Sequence, residues 1–151
     1  MLQKFPLCLE LIHYEGKSEQ AYVYKLHLKE TPITAKQAEQ RLLTGLMVYP
    51  ENPNALFSIA MCYYNTKEFD KCISYTNQAL KLINNSEQIL ELRANAYVQM
   101  QKFQLAAQDY ERLTQLNPPK GTNWYNLGVC YFNLNKSNAL SLIQKGKELG
   151  I

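Results

Sequence analysis

Few residues in this chain could do covalent or metal chemistry, and their spacing argues against it. The only histidines are His13 and His27, both in the N-terminal stretch and neither with an acid at catalytic spacing, so no nucleophile–base pair can be assembled around them. The four cysteines, Cys8, Cys62, Cys72 and Cys130, form no CxxC pair and have no close histidine, which removes the usual zinc and redox arrangements. Cys62, Cys72 and Cys130 fall instead on small positions of a repeating pattern, where cysteine acts as a compact apolar residue. Cys62 and Cys130 occupy equivalent places two units apart, too distant along a stack for a disulfide. No catalysis, metal or cofactor is expected. The remaining chemistry is that of recognition, by aromatic rings, a thioether and side-chain amides.

Those groups must be positioned by the repeat. A shift of about 34 residues, the length of a helix–turn–helix repeat unit, lays Leu56 on Leu90, Ala60 on Ala94, Tyr63 on Tyr97 and Phe69 on Phe103. The same shift carries Leu90 to Trp124, Ala94 to Gly128 and Tyr97 to Tyr131. Each unit reads as two antiparallel helices. In the first, Leu56, Ile59, Ala60 and Tyr63 recur at helical spacing, and Phe69, Cys72, Ile73, Thr76, Ala79, Leu80 and Ile83 follow the same rule after a polar turn, Asn65-Thr66-Lys67-Glu68. Helices approach closely only where side chains are small, which accounts for Ala60, Ala94 and Gly128 on the first helix and Cys72 and Ala106 on the second. Tyr63, Tyr97 and Tyr131 are expected to fill the space beside Phe69 and Phe103. A lone hairpin cannot bury such a face, and stacking onto a neighbour does. Asn117-Pro118-Pro119 ends the second unit, since proline lacks the donor a continuing helix needs.

These residues resemble the tetratricopeptide repeat family, most completely in Trp124-Tyr125-Asn126-Leu127-Gly128 with Tyr131 following. The resemblance implies an all-α chain, a right-handed superhelix of helix hairpins with units at 53–86, 87–120 and 121–151, covering about two-thirds of the sequence. It also implies protein binding. In such stacks the first helix of each unit lines the concave face, which here brings Phe57, Met61, Tyr64 and Asn65 together with Glu91, Asn95, Val98 and Gln99 and with Tyr125, Asn126, Val129 and Phe132. Aromatic and sulfur side chains at exposed positions need a reason: they grip an apolar or amphipathic peptide, or the chain's own N-terminal segment covers them. Asn95 and Asn126 are either paired amides that hold a peptide backbone or ordinary polar groove residues. The family's best known mode binds acidic chaperone C-termini through lysines and an arginine. Phe57, Glu91 and Tyr125 stand where such cations are expected, so no carboxylate clamp is predicted.

The ends of the chain depart from the pattern. In residues 1–30 the apolar residues alternate, Leu7, Leu9 and Leu11 and then Tyr22, Tyr24, Leu26 and Leu28, around the polar stretch Glu15 to Glu19 with Gly16. A β-hairpin is the favoured reading; a divergent first helix over 19–30 competes with it. Thr31-Pro32 then starts a helix that runs to about 49 and matches the second helix of a unit, with Ala38, Gly45 and Val48 in register with Cys72, Ala79 and Leu82. At the other end, the turn after Asn133 is one residue short and lacks the aromatic of Phe69 and Phe103. Ala139, Leu142, Ile143, Gly146 and Leu149 still form an apolar stripe, and Lys145, Lys147 and Gly150 suit a helix terminus that caps the stack.

Composition fits a soluble globular protein. The chain is 46% hydrophobic and 19% charged, and its net charge of +3 is too small to argue for nucleic acid. Lys36, Arg41, Lys67, Lys71, Lys81, Arg93, Lys102 and Arg112 are scattered among acids, which reads as a solvated helix surface. No stretch is long enough to span a membrane. Glu10 interrupts the apolar run that a secretory signal would need, and Leu7-Cys8 is a poor lipidation site, so a cytoplasmic location is expected. The expected function is a scaffold or adaptor for a protein partner. The alternative is a small dedicated chaperone, like the three-repeat chaperones of bacterial secretion systems, that masks a secreted or assembling client.

Overall fold

The computed structural model describes Gln40, Leu43 and residues 52–151. The β-hairpin expected over 1–30 and the histidines lie outside the described residues, as does most of the helix expected over 31–49, of which Gln40 and Leu43 are helical. Among the described residues every regular element over 52–151 is an α-helix: α1 Pro53–Asn65, α2 Phe69–Leu82, α3 Glu87–Gln99, α4 Phe103–Leu116, α5 Gly121–Asn133 and α6 Ala139–Glu148. They fall into two compact units that divide between Asn84 and Asn85, with α1 and α2 in the first and α3 to α6 in the second.

In the first unit, α1 starts where Asn52 caps it. The Asn52 Oδ1 accepts hydrogen bonds from the Asn54 and Ala55 amides at 3.1 and 3.2 Å, and Pro53 sits at the first helical position, where its missing donor costs nothing. The packed faces are Ile59, Ala60 and Tyr63 on α1 and Cys72, Thr76 and Ala79 on α2, all buried. Each large apolar side chain fully removed from water contributes about 1.5–3 kcal/mol. Thr76 fits an apolar seam because its hydroxyl donates back to the Cys72 and Ile73 carbonyls.

The tight reversal between paired helices is the same three times. Glu68 N–H donates to the Tyr63 carbonyl and Lys67 N–H to that of Tyr64; Lys102 and Gln101 do likewise to Tyr97 and Val98, and Lys136 and Asn135 to Tyr131 and Phe132. This is the Schellman arrangement, and it needs one residue in the left-handed region. Lys67, Gln101 and Asn135, spaced 34 residues apart, occupy it with φ of 63°, 58° and 56°.

After the third turn the geometry changes. α2 and α4 begin immediately after Glu68 and Lys102, whereas α6 begins only at Ala139, after Ser137 and Asn138. The expected one-residue shortage is visible in the packing: the buried small residue comes four residues after Lys102, at Ala106, but three after Lys136, at Ala139. The chain absorbs the difference by omitting the first turn of the helix.

The α5–α6 pair is brought together by glycine. A methyl group on Gly128 would lie 2.8 Å from the Ile143 amide nitrogen, and one on Gly146 2.6 Å from that of Tyr125. Backbones this close leave no room for a Cβ.

Candidate peptide-binding faces

Positions 57, 61 and 64 on α1 recur as 91, 95 and 98 on α3 and as 125, 129 and 132 on α5. The spacing of four and three residues puts each trio on one side of its helix. None of the nine is buried. The face on α1 is Phe57, Met61 and Tyr64, all half-buried. Tyr64 meets the Phe69 ring edge-on at 5.5 Å, whereas Tyr63 points inward and stacks on Tyr75 with ring centres 5.9 Å apart. Phe69 opens α2 right after the turn and so meets the outward ring of the last turn of α1.

In the second unit, Tyr125, Asn126 and Val129 are half-buried on α5, and Phe132 is 62% exposed. On α3, Glu91 accepts from Lys120 Nζ at 2.9 Å, an ion pair with both partners about one-third exposed, which is worth little net stability but ties α3 to the start of α5. Val98 is half-buried. Asn95, left open by the sequence between two readings, accepts at Oδ1 from the buried Tyr110 hydroxyl at 2.5 Å, so that half of its amide holds α4 to α3. Among the described residues Asn126 makes no such bond with its side-chain amide.

Arg93, expected on a solvated surface, instead donates from Nε and Nη2 to the two carboxylate oxygens of Asp109 at 2.8 and 2.6 Å, and Asp109 is buried. The Asp109 hydrogen bonds hold the guanidinium pKa above its usual value. On the next seam, the Tyr131 hydroxyl donates to Glu111 Oε1, and that bond, with burial, pushes its pKa up to about 12. Loss of water contact raises the Cys72 thiol to about 12 and that of Cys130 to about 11, as expected for inert apolar cysteines. Among the described residues no cluster of histidine, cysteine and acid could hold a metal, and no helix is long and apolar enough to cross a membrane.

Helix hairpins in tandem, with half-open aromatic faces, define a helical-repeat scaffold. Two family models match it: one described as anaphase-promoting complex, cyclosome, subunit 3 over residues 40–113, and one described as tetratricopeptide repeat over residues 92–148. Over residues 40–148 the chain belongs to the tetratricopeptide repeat family. It is 33% identical over 73 residues to human peptidyl-prolyl cis-trans isomerase FKBP4, covering 48% of this chain and 16% of that protein. The bovine protein of that name is 30% identical over 92 residues, covering 61% and 19%. The chain thus spans less than a fifth of these relatives, and the activity in their name remains theirs. Among solved structures, a crystal structure of MamA superimposes with a TM-score of 0.71 at 18% identity, over 77% of this chain and 68% of that one. MamA from Desulfovibrio magneticus RS-1 gives 0.73 at 17%, over 77% and 66%. At such identity the likeness is one of fold.

Proposed function

We propose that the chain is an adaptor whose half-open first-helix faces bind an apolar or amphipathic peptide segment of a partner protein. The observation that carries this reading is the recurrence of partly exposed Phe57, Met61, Tyr64, Val98, Tyr125, Val129 and Phe132 at equivalent helical positions. Large apolar groups repeated in register on a surface mark recognition sites more often than chance exposure. With Phe57, Glu91 and Tyr125 at these positions, the faces suit side-chain burial better than capture of a carboxylate terminus.

Affinity capture from the native host, followed by mapping of the bound segment, identifies the partner. The double variant Phe57→Ala and Tyr125→Ala should then lose binding while its helical circular dichroism is unchanged; undiminished affinity would place the site elsewhere. A client that is insoluble alone and soluble only on co-expression would assign the chain to the dedicated-chaperone class.

A further inference from the structure

We infer that the open face of α5 selects a partner segment whose contacting side chains carry no charge, large apolar groups beside amides or hydroxyls. The inference rests on the adaptor reading and names the chemistry of its ligand. Charge is segregated between the two kinds of helix. The second helix of each hairpin carries acids and cations: Asp70, Lys71 and Lys81 on α2, Glu111 and Arg112 on α4, Lys145, Lys147 and Glu148 on α6. The 13 residues of α5 contain no Asp, Glu, Lys, Arg or His, and neither do the 13 of α1. A helix side turned to water ordinarily carries charge, so an open side without it suits contact with another protein.

On α5 the open side has two parallel rows. Tyr125, Val129 and Phe132 form the apolar one, the first two half-buried and Phe132 exposed. Asn126 and Asn133, one residue further round and two turns apart, form the other, and Asn133 Nδ2 donates back to the Val129 carbonyl at 2.9 Å. An amide offers a donor and an acceptor without net charge.

The ions that border α5 are engaged within the unit. Lys120, at its start, bonds Glu91 of α3 at 2.9 Å, and Glu87, one turn before Glu91, accepts from Asn117 Nδ2 at 3.2 Å. Lys136 lies over the Tyr131 ring, Nζ 4.1 Å from its centre, and Lys145 over the Trp124 ring at 3.4 Å. Both rings stand on the flank of α5 away from Asn126 and Asn133. A carboxylate or ammonium pressed against Val129 and Phe132 would lose its water and gain no counter-ion, which is costly. A neutral side chain escapes that cost, so the face discriminates by rejecting charge.

The test selects a phage-displayed random dodecapeptide library on the immobilised full chain, then measures the enriched peptides by fluorescein anisotropy. Acidic and basic residues should fall below their frequency in the input library. Affinity should change by less than about twofold between about 0.05 and 0.5 M salt, and Phe132→Ser should lose tenfold or more. Asn126→Asp should bring Lys or Arg into the selected peptides and Asn126→Lys should bring acids, a response that a merely adhesive face does not give. Circular dichroism checks that the helices persist in each variant. Charged peptides that Phe57→Ala with Tyr125→Ala releases overturn the charge rule and leave the adaptor reading standing. Neutral peptides that ignore Phe132→Ser but respond to Phe57→Ala place the selection on α1 and overturn it for α5. Peptides indifferent to all these variants, or no enriched peptide, overturn the inference and the adaptor reading together. Self-association that Phe132→Ser removes assigns the face to a second copy and likewise overturns the inference.

Discussion

Arg93 on α3 holds Asp109 on α4 through two parallel hydrogen bonds, Nε to Oδ2 and Nη2 to Oδ1. A planar guanidinium matches a carboxylate in this way and sets the rotation of one helix against the other. Removing the cation alone strands a buried carboxylate, so Arg93→Ala should cost about 3 kcal/mol in urea unfolding. Arg93→Met with Asp109→Leu should recover most of that loss. A double variant as unstable as the sum of the singles would show that the pair does not act as a unit.

The repeated turn makes a second prediction. Left-handed backbone costs a residue with a Cβ about 1 kcal/mol, and glycine escapes this cost. Gln101→Gly should therefore raise the unfolding midpoint, net of the extra freedom glycine has when unfolded, and Lys67→Gly should do the same. A midpoint lowered by both would mean that the side chains contribute more than the strain costs.

Close helix contact makes a third. Gly146→Ala raises helix propensity by about 1 kcal/mol, yet its methyl would strike the backbone of α5. The net change should be a loss of about 1–3 kcal/mol, and Ala94→Leu, at a fully buried position, should behave alike. Thermal unfolding distinguishes this from a helix limited by propensity alone, for which Gly146→Ala would stabilise.

A fourth concerns pH. The Cys72 thiol is raised from 9.0 to about 12 by burial. A raised pKa means the native state favours the neutral form, so this contribution is complete below pH 9 and is lost as pH climbs from about 9 to 12. Stability should fall across that window, and Cys72→Ala should flatten the fall. Iodoacetamide at pH 8 should leave Cys72 and Cys130 unmodified until denaturant is added; rapid native alkylation would contradict their burial.

The helices of residues 53–133 were legible in the amino-acid order because each unit repeats the same apolar spacing, small contact residue and breaker, and local rules of that kind act on near neighbours along the chain. The first-helix faces follow from the same periodicity. What the order of residues could not show was decided by contacts between residues far apart in it. Arg93 and Asp109 look like two ordinary surface charges until two helices fold side by side; Asn95 looks free until Tyr110 reaches it; and Lys67, Gln101 and Asn135 bear no glycine signal for the left-handed turn they adopt, because the fixed approach of two packed helices imposes it.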